Sequence, residues 1–277
     1  MQVVLTLSDL NGATAALRAA FGHVAMVPTM GALHDGHRAL VEAAVATGAG
    51  VIASIFVNPT QFAATEDLSR YPRDELGDLA SLRGAGCHLA WLPEVGTMYP
   101  PGDATTIEVA GPARRWEGDV RPGHFRGVAT VCARLFGHAR PDAAFFGEKD
   151  WQQLQVVRRM CADLPLPTAI IGVPTVRETD GLAMSSRNRF LSPAERALAP
   201  LLHAALRTAA GLKHGEAVEP VLRQARAMLT EAGFSVEYLD VVDGPTLEPL
   251  TSAQPGARLI AAARLGSVRL LDNLGLD

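Results

Sequence analysis

Over its first 175 or so residues the chain alternates short apolar runs with stretches of helical periodicity, and this alternation constrains the fold more than any other feature. The runs are HVAMV (23–27), GVIASIFV (50–57), CHLAWL (87–92), DAAFF (142–146) and TAIIGV (168–173), and all read as buried strands. Apolar spacing predicts helices over 7–21, 37–48, 73–84, 126–139 and 150–163. Strand, helix, strand in repetition implies a parallel sheet covered on both faces: an α/β, doubly wound, Rossmann-like domain over 1–175.

Beyond Asn188 the texture changes. In SPAERALAPLLHAALRTAAGL, Ser192 stands as a cap, Pro193 occupies the first helical position, and apolar residues follow at helical spacing. A second helix is predicted over 215–232, then strand-like SVEYLDVV, ARLIAAARL and SVRLLD with turns between them. These features predict a smaller C-terminal α+β subdomain over 176–277, with an antiparallel sheet. The Gly-, Pro- and Arg-rich stretch 110–127 is expected to be a mobile flap.

At 277 residues and 48% hydrophobic, the chain can bury a substantial core. It has no run of 18 apolar residues, and MQVVLTLSDL lacks the features of a signal peptide, so the expected compartment is the cytoplasm. Cys87, Cys132 and Cys161 are too widely spaced for a disulfide framework or a zinc pattern, and read as small buried side chains. A net charge of -4 with both signs interspersed offers no broad footprint for nucleic acid or an anionic membrane.

In a doubly wound sheet the ligand lies beyond the carboxyl ends of the strands, which selects the segments 28–37, 58–71, 147–153 and 174–189. In VPTMGALHDGHRAL, Pro28 stops the strand, Gly31 and Gly36 permit a tight turn, and a helix starts near Gly36 or His37. The N–H groups and dipole of a helix start favour an anion. His34 and His37, three apart, can project to one side and donate to phosphate oxygens. There is no lysine as in a phosphoryl-transfer loop. Two imidazoles near an α-phosphate suit nucleotidyl transfer, in which charge builds on the α-phosphorus as pyrophosphate leaves. A zinc reading of His-x-x-His lacks a third ligand nearby.

The three remaining segments add polar groups of matching character. Asn58 on its own is a turn residue before Pro59, whereas the Gln61 amide can both donate to a carboxylate and accept from an ammonium. In FFGEKDWQQL, Gly147 allows close backbone approach, Lys149 can neutralise phosphate, Asp150 suits a cap or a sugar hydroxyl, and Gln153 lies three residues further on. Met184, Ser185, Ser186 and Arg187 put two hydroxyls and a guanidinium in succession in a loop, a grip for phosphate oxygens.

The pattern T-x-G-x-x-H-x-G-H at 29–37 resembles the signature of the nucleotidyltransferase superfamily that includes class I aminoacyl-tRNA synthetases. The 184–187 loop is similar to that superfamily's Lys-Met-Ser-Lys-Ser loop. Taken together, PTMGALHDGH, NPTQF, RPGHFRGVATV, FGEKDWQQL and DGLAMSSRN resemble the pantothenate synthetase (pantoate–β-alanine ligase) family, and the likeness covers essentially the whole chain.

That resemblance implies ATP-dependent condensation of pantoate with β-alanine through a pantoyl adenylate, yielding pantothenate, AMP and pyrophosphate in the coenzyme A pathway. It further implies that Met30, Gly31, Ala32, Leu33, His34, Asp35, Gly36 and His37 line the adenylate and phosphates, with His34, His37 and Lys149 catalytic and His37 a proton donor. Gly147, Glu148, Lys149, Asp150 and Val176 would hold the nucleotide, and Met184, Ser185, Ser186 and Arg187 would close on its phosphates. Gln61 would touch both acid and amine, Gln153 would bind pantoate, Asn58 would belong to the same subsite, and Arg121 would reach phosphate. Mg²⁺ would be held mainly by ATP phosphates, with no metal site of the protein's own, and the family's habit implies a homodimer. Arg38 and Trp151 depart from the family pattern, where leucine and Tyr or Phe are common. A bare adenylyltransferase, an RNA-binding synthetase relative and an inactive nucleotide sensor are the competing readings. The paired glutamines count against the first, the acidic charge against the second, and the intact His and Ser-Ser-Arg groups against the third.

Overall fold

The fold is described from a computed structural model covering residues 1–62 and 71–276; part of the expected ligand-facing segment 58–71, residues 63–70, lies outside the described residues. The chain packs as two compact units. One holds Met1–Glu148 and Gln152–Pro174; the other holds Lys149–Trp151 and the residues from Thr175 on.

In the first unit the order is β1 (Gln2–Val4), α1 (Leu7–Phe21), β2 (Val24–Thr29), α2 (Asp35–Ala46), β3 (Gly50–Ile55), α3 (Glu75–Gly84) and β4 (Leu89–Trp91). Then come two short helices, α4 (Val95–Met98) and α5 (Glu117–Val120), followed by α6 (His124–Ala139), β5 (Ala143–Gly147), α7 (Trp151–Asp163, which belongs to this unit from Gln152 on) and β6 (Ala169–Val173). The strands form one parallel sheet in the order β1-β4-β3-β2-β5-β6. Ala25, Val27, Val51, Ala53, Ala90 and Phe145 turn to one face, where Leu40, Val41 and Ala44 of α2 and Leu82 of α3 cover them. Val24, Met26, Ile52, Leu89 and Ala144 alternate to the other face and are equally buried, with α1 and α6 packed on the sheet. Burial on both faces is why these strands read as continuous apolar runs.

From β2 the chain runs through α2 to β3 on one side and reaches β5 on the other side only after β4. The strand order therefore reverses between β2 and β5, the place where an open α/β sheet receives a ligand. Residues 30–34 follow β2 there, and Glu148 follows β5.

Three local expectations need correction. Pro28 does not stop the strand: β2 runs on to Thr29, with Pro28 opposite Ser54. TAIIGV is not a buried strand: β6 is the sheet edge, and Ile171 is 39% exposed. Helix α2 starts at Asp35 rather than Gly36 or His37, because His34 caps it; Gly36 lies in its first turn. Apart from these, the segment 110–127 carries α5 and the first turn of α6. The buried Gln152 pins it, donating to the carbonyls of Pro112, Arg114 and Arg115 and accepting from Glu117 N–H. These bonds hold Arg115 and Trp116 at φ of 61° and 48°, a region costly for non-glycine residues.

In the second unit, α8 (Pro193–Leu198), α9 (Leu201–Ala209) and α10 (Glu219–Glu231) precede an antiparallel sheet of β7 (Phe234–Asp243), β8 (Ala257–Leu265) and β9 (Val268–Gly275). Ser192 and Glu195 close a reciprocal cap on α8 with Pro193 in its first turn, as the sequence indicates. Leu202, Leu206, Leu222 and Leu229 from the helices pack on Leu239, Val241, Leu259, Ala261 and Leu270 of the sheet.

Candidate active site

Beyond β2 the chain makes a turn that few sequences tolerate: Gly31 and Ala32 both have positive φ, 83° and 52°. The turn is stapled from outside. Asp78 of α3, only 4% exposed, accepts from Ala32 N–H at 2.9 Å and Leu33 N–H at 2.7 Å. A Cβ at position 31 would stand 2.8 Å from Asp78 Oδ2, so glycine is needed there for space as well as for φ. Thr29 Oγ1 donates to Ser54 O at 2.7 Å and anchors the turn to the neighbouring strand.

The loop delivers the two histidines in a defined geometry. His34 Nδ1 accepts from Gly36 N–H at 3.1 Å, and His37 Nδ1 accepts from His34 N–H at 3.3 Å, forming a capping box built from imidazoles. The rings lie 4.1 Å apart between centroids. A neutral imidazole that accepts at Nδ1 carries its proton at Nε2, so both rings are fixed as Nε2–H donors. The cap also uses the helix's own amides: Gly36 N–H goes to His34 Nδ1 and His37 N–H to the His34 carbonyl at 2.8 Å. The first turn thus presents fewer backbone donors than its sequence suggests. Asp35 and Arg38 form a surface ion pair at 3.7 Å, and Arg38 also reaches Glu42 at 3.5 Å.

Gln61 is buried and set from three directions. Its Oε1 accepts from Asn58 Nδ2 at 3.0 Å, its Nε2 donates to Met30 Sδ at 2.9 Å, and its carbonyl accepts from His124 Nδ1 at 2.8 Å. Met30 and Gln61, both expected at the site, are therefore in direct contact. Asn58 is 1% exposed and saturated: Tyr99 donates its hydroxyl to Oδ1 at 2.7 Å, and Nδ2 donates also to Gly127 O at 3.2 Å. Asn58 acts as a brace for Gln61. With Nδ1–H committed to a carbonyl, His124 Nε2 accepts from Arg121 at 3.1 Å, which links Arg121 to the Gln61 turn. Gln153 is half-buried in the first turn of α7, and hydrogen bonds do not join it to Gln61 or Asn58. Gly147 closes β5 with open space where a Cβ would stand, followed by Glu148 in a short 3-10 turn.

In the second unit, Lys149 Nζ lies 3.5 Å from Asp150 Oδ1. Val176 and Met184 are partners across a small hairpin: Met184 N–H donates to Val176 O at 3.0 Å and Glu178 N–H to Leu182 O at 2.8 Å. Ser185 then caps a 3-10 turn over Ser186–Phe190, accepting from Arg187 N–H at 3.2 Å. Trp151, one of the two departures from the family pattern, donates Nε1–H to Gly244 O at 2.7 Å and carries the Arg258 guanidinium 3.5 Å above its ring.

Asp78, Tyr99 and His124 shape the first unit's cluster without having been singled out in the sequence. A local signal existed for Asp78: it lies four residues before the buried Leu82, an acid on the covered face of α3.

A family model described as Pantoate-beta-alanine ligase matches residues 2–275. The pantothenate synthetase of Acidiphilium cryptum is 60% identical over 278 residues, covering 100% of each chain. The crystal structure of pantothenate synthetase from Thermus thermophilus is similar with a TM-score of 0.92 at 49% identity, covering 100% of this chain and 99% of that one. The pantoate-beta-alanine ligase of Francisella tularensis, crystallised with beta-gamma ATP and beta-alanine, is similar with a TM-score of 0.82 at 30% identity, covering 99% of this chain and 97% of that one.

Proposed function

Because the chain belongs to the pantoate-beta-alanine ligase family across residues 2–275, we propose that it joins pantoate to β-alanine with cleavage of ATP to AMP and pyrophosphate. The observation that carries this reading is the imidazole capping box, which fixes His34 and His37 as paired Nε2–H donors at the switch point of the sheet. Such donors serve a reaction in which negative charge grows on phosphate.

The chemistry takes two steps. A pantoate carboxylate oxygen attacks the α-phosphorus; the new P–O bond forms as the bond to pyrophosphate breaks, leaving pantoyl adenylate. The β-alanine amine, having lost its ammonium proton, then attacks the acyl carbon. The C–N bond forms, the nitrogen releases a second proton to solvent, the C–O bond breaks, and AMP leaves. Adenylation replaces an oxide leaving group with a phosphate ester. No enzyme nucleophile is required.

In this reading His34 and His37 donate to the phosphate oxygens, and His37 follows the departing pyrophosphate. Gln61, held by Asn58, Met30 and His124, orients the acid and then the amine, and Gln153 adds a pantoate contact. The nucleotide groups of the second unit are Lys149, Asp150, Val176 and Met184 to Arg187; Gly147 and Glu148 serve from the first. Among the described residues no three His, Cys, Asp or Glu side chains gather as a cation site. Mg²⁺ would be held mainly by the triphosphate oxygens and water, and would supply charge neutralisation on the leaving pyrophosphate. We take the enzyme to be a cytoplasmic homodimer joined through the first unit; a monomer mass by light scattering at micromolar concentration would remove that part.

The test is product analysis. One AMP and one pantothenate per ATP, with AMP release dependent on both pantoate and β-alanine, is expected. Release of AMP indifferent to β-alanine, or a dinucleotide product, would replace this reading with simple adenylyl transfer.

A further inference from the structure

Two adjacent residues of β9, remote in sequence from every motif above, bind both segments that carry the second unit's nucleotide groups. Asp272 is 2% exposed and takes Arg177 in a bidentate grip, at 2.7 Å to Oδ2 and 2.9 Å to Oδ1. Arg177 lies in the hairpin, paired with Ala183 between Val176 and Met184, and its guanidinium also donates to Gly181 O at 3.1 Å across the hairpin's own turn. His203 Nδ1 lies 3.5 Å from Oδ2, and Asn273 N–H donates to Oδ1 at 2.7 Å. The carboxylate thus sets the position of the hairpin relative to β9.

Asn273, also buried, points to the opposite face of the strand. Its Nδ2 donates to the carbonyl of Lys149 at 2.7 Å, and its Oδ1 accepts from Arg258 Nε at 2.6 Å. Arg258 in turn stacks on Trp151, two residues past Lys149. The short piece 149–151 is clamped at its backbone by Asn273 and at its aromatic ring by Arg258. A buried amide with both ends used this way fixes the backbone with little freedom.

We propose that Asp272 and Asn273 are positioning residues for ATP: one strand step holds the Lys149 segment through Asn273 and the Val176–Met184 hairpin through Asp272, so that both meet one nucleotide in register. This rests on the assignment of Lys149, Val176 and Met184 to the nucleotide. Asn273→Asp is the discriminating variant. It is isosteric and keeps the acceptor for Arg258, yet it turns the donor facing the Lys149 carbonyl into a second acceptor.

The measurement is equilibrium ATP binding by calorimetry, together with steady-state KM for ATP and for pantoate, on wild type and Asn273→Asp. Loss of one buried hydrogen bond with its acceptor stranded corresponds to roughly tenfold weaker ATP binding. The expected result is a matching rise in KM for ATP with KM for pantoate unchanged, a split that a general loss of structure would not give. Should Asn273→Asp melt below the assay temperature, Arg258→Met loosens the same clamp from its other end and is expected to move KM for ATP in the same direction. Wild-type protein that binds no ATP would overturn the nucleotide assignment itself. Wild-type binding with unaltered affinity in the variant, or an equal rise in both KM values, would overturn the positioning role alone.

Discussion

Gly127 is a position where the first unit's structure makes a sharp demand. It lies inside α6, where alanine is ordinarily better by about 1 kcal/mol. A Cβ there, however, would stand 2.4 Å from Thr60 O, 2.6 Å from Thr60 C and 2.7 Å from Gln61 Cα. All three are backbone atoms, and comfortable contact needs about 3.5 Å, so the Thr60–Gln61 turn must retreat by roughly 1 Å. Overpacking of this kind costs about 1–3 kcal/mol. It also stretches the two hydrogen bonds that cross the seam, Asn58 Nδ2 to Gly127 O and His124 Nδ1 to Gln61 O, worth about 1 kcal/mol each. Gly127→Ala should therefore destabilise by a net of about 1–3 kcal/mol and raise KM for pantoate by displacing Gln61, with KM for ATP little changed. Gly137 in the same helix has no atom within 4 Å of its virtual Cβ, so Gly137→Ala should gain about 0.5–1 kcal/mol. Thermal unfolding of both variants by circular dichroism, with pantoate kinetics, reads the contrast. A Gly127→Ala protein as stable as Gly137→Ala, with wild-type KM for pantoate, would refute the close-approach reasoning.

Three further outcomes follow from the same geometry. His37→Ala removes one acceptor of the capping box, a loss of about 1 kcal/mol, but should lower the adenylation rate by about 10²–10³-fold; a folded variant with near-normal turnover would remove His37 from the chemistry. Asp272 has its pKa held below the ordinary carboxylate value because, although burial pushes it up, the His203 and Arg177 contacts outweigh that effect. Its stabilising contribution is then complete above the unfolded-state carboxylate pKa and fades as pH falls through the folded one, so the stability gap between wild type and Asp272→Asn should shrink from neutral pH into acid; a gap independent of pH would contradict the pairing. Burial raises the thiol pKa of all three cysteines, that of Cys161 to about 11, so thiol reagents at pH 8 should modify native protein far more slowly than unfolded protein, and rapid native labelling followed by mass spectrometry would disprove it.

What the sequence made legible, and what it hid, follows the range of the interactions. Strands β2, β3 and β5 announce themselves because both of their faces are covered, leaving unbroken apolar runs. β1 has only three residues, and its partner β4 starts at Leu89, so nothing local marks it. TAIIGV has the same composition as a buried strand, yet its place in the sheet order leaves Ile171 open on the edge; composition cannot report a neighbour's absence. His34 and His37 were legible as a pair because their spacing is local. The amides that aim them are equally local, belonging to His34 and Gly36 themselves, whereas the Asp78 carboxylate that holds the turn before them comes from a pairing made only in the folded chain. Asn58 shows both sides: its turn chemistry was evident, whereas its service as a brace depends on Tyr99 and Gly127. The Asp272–Asn273 step was silent for the same reason, since Lys149 lies more than a hundred residues away from it.

The measurement that bears most directly on the proposed reaction is isotope exchange between pyrophosphate and ATP, run with and without pantoate and with β-alanine left out. Exchange that requires pantoate and falls sharply in His37→Ala is expected, because adenylation is reversible and precedes the amine. Exchange equally fast without pantoate, or unaffected by His37→Ala, would contradict a pantoyl adenylate formed at the imidazole pair.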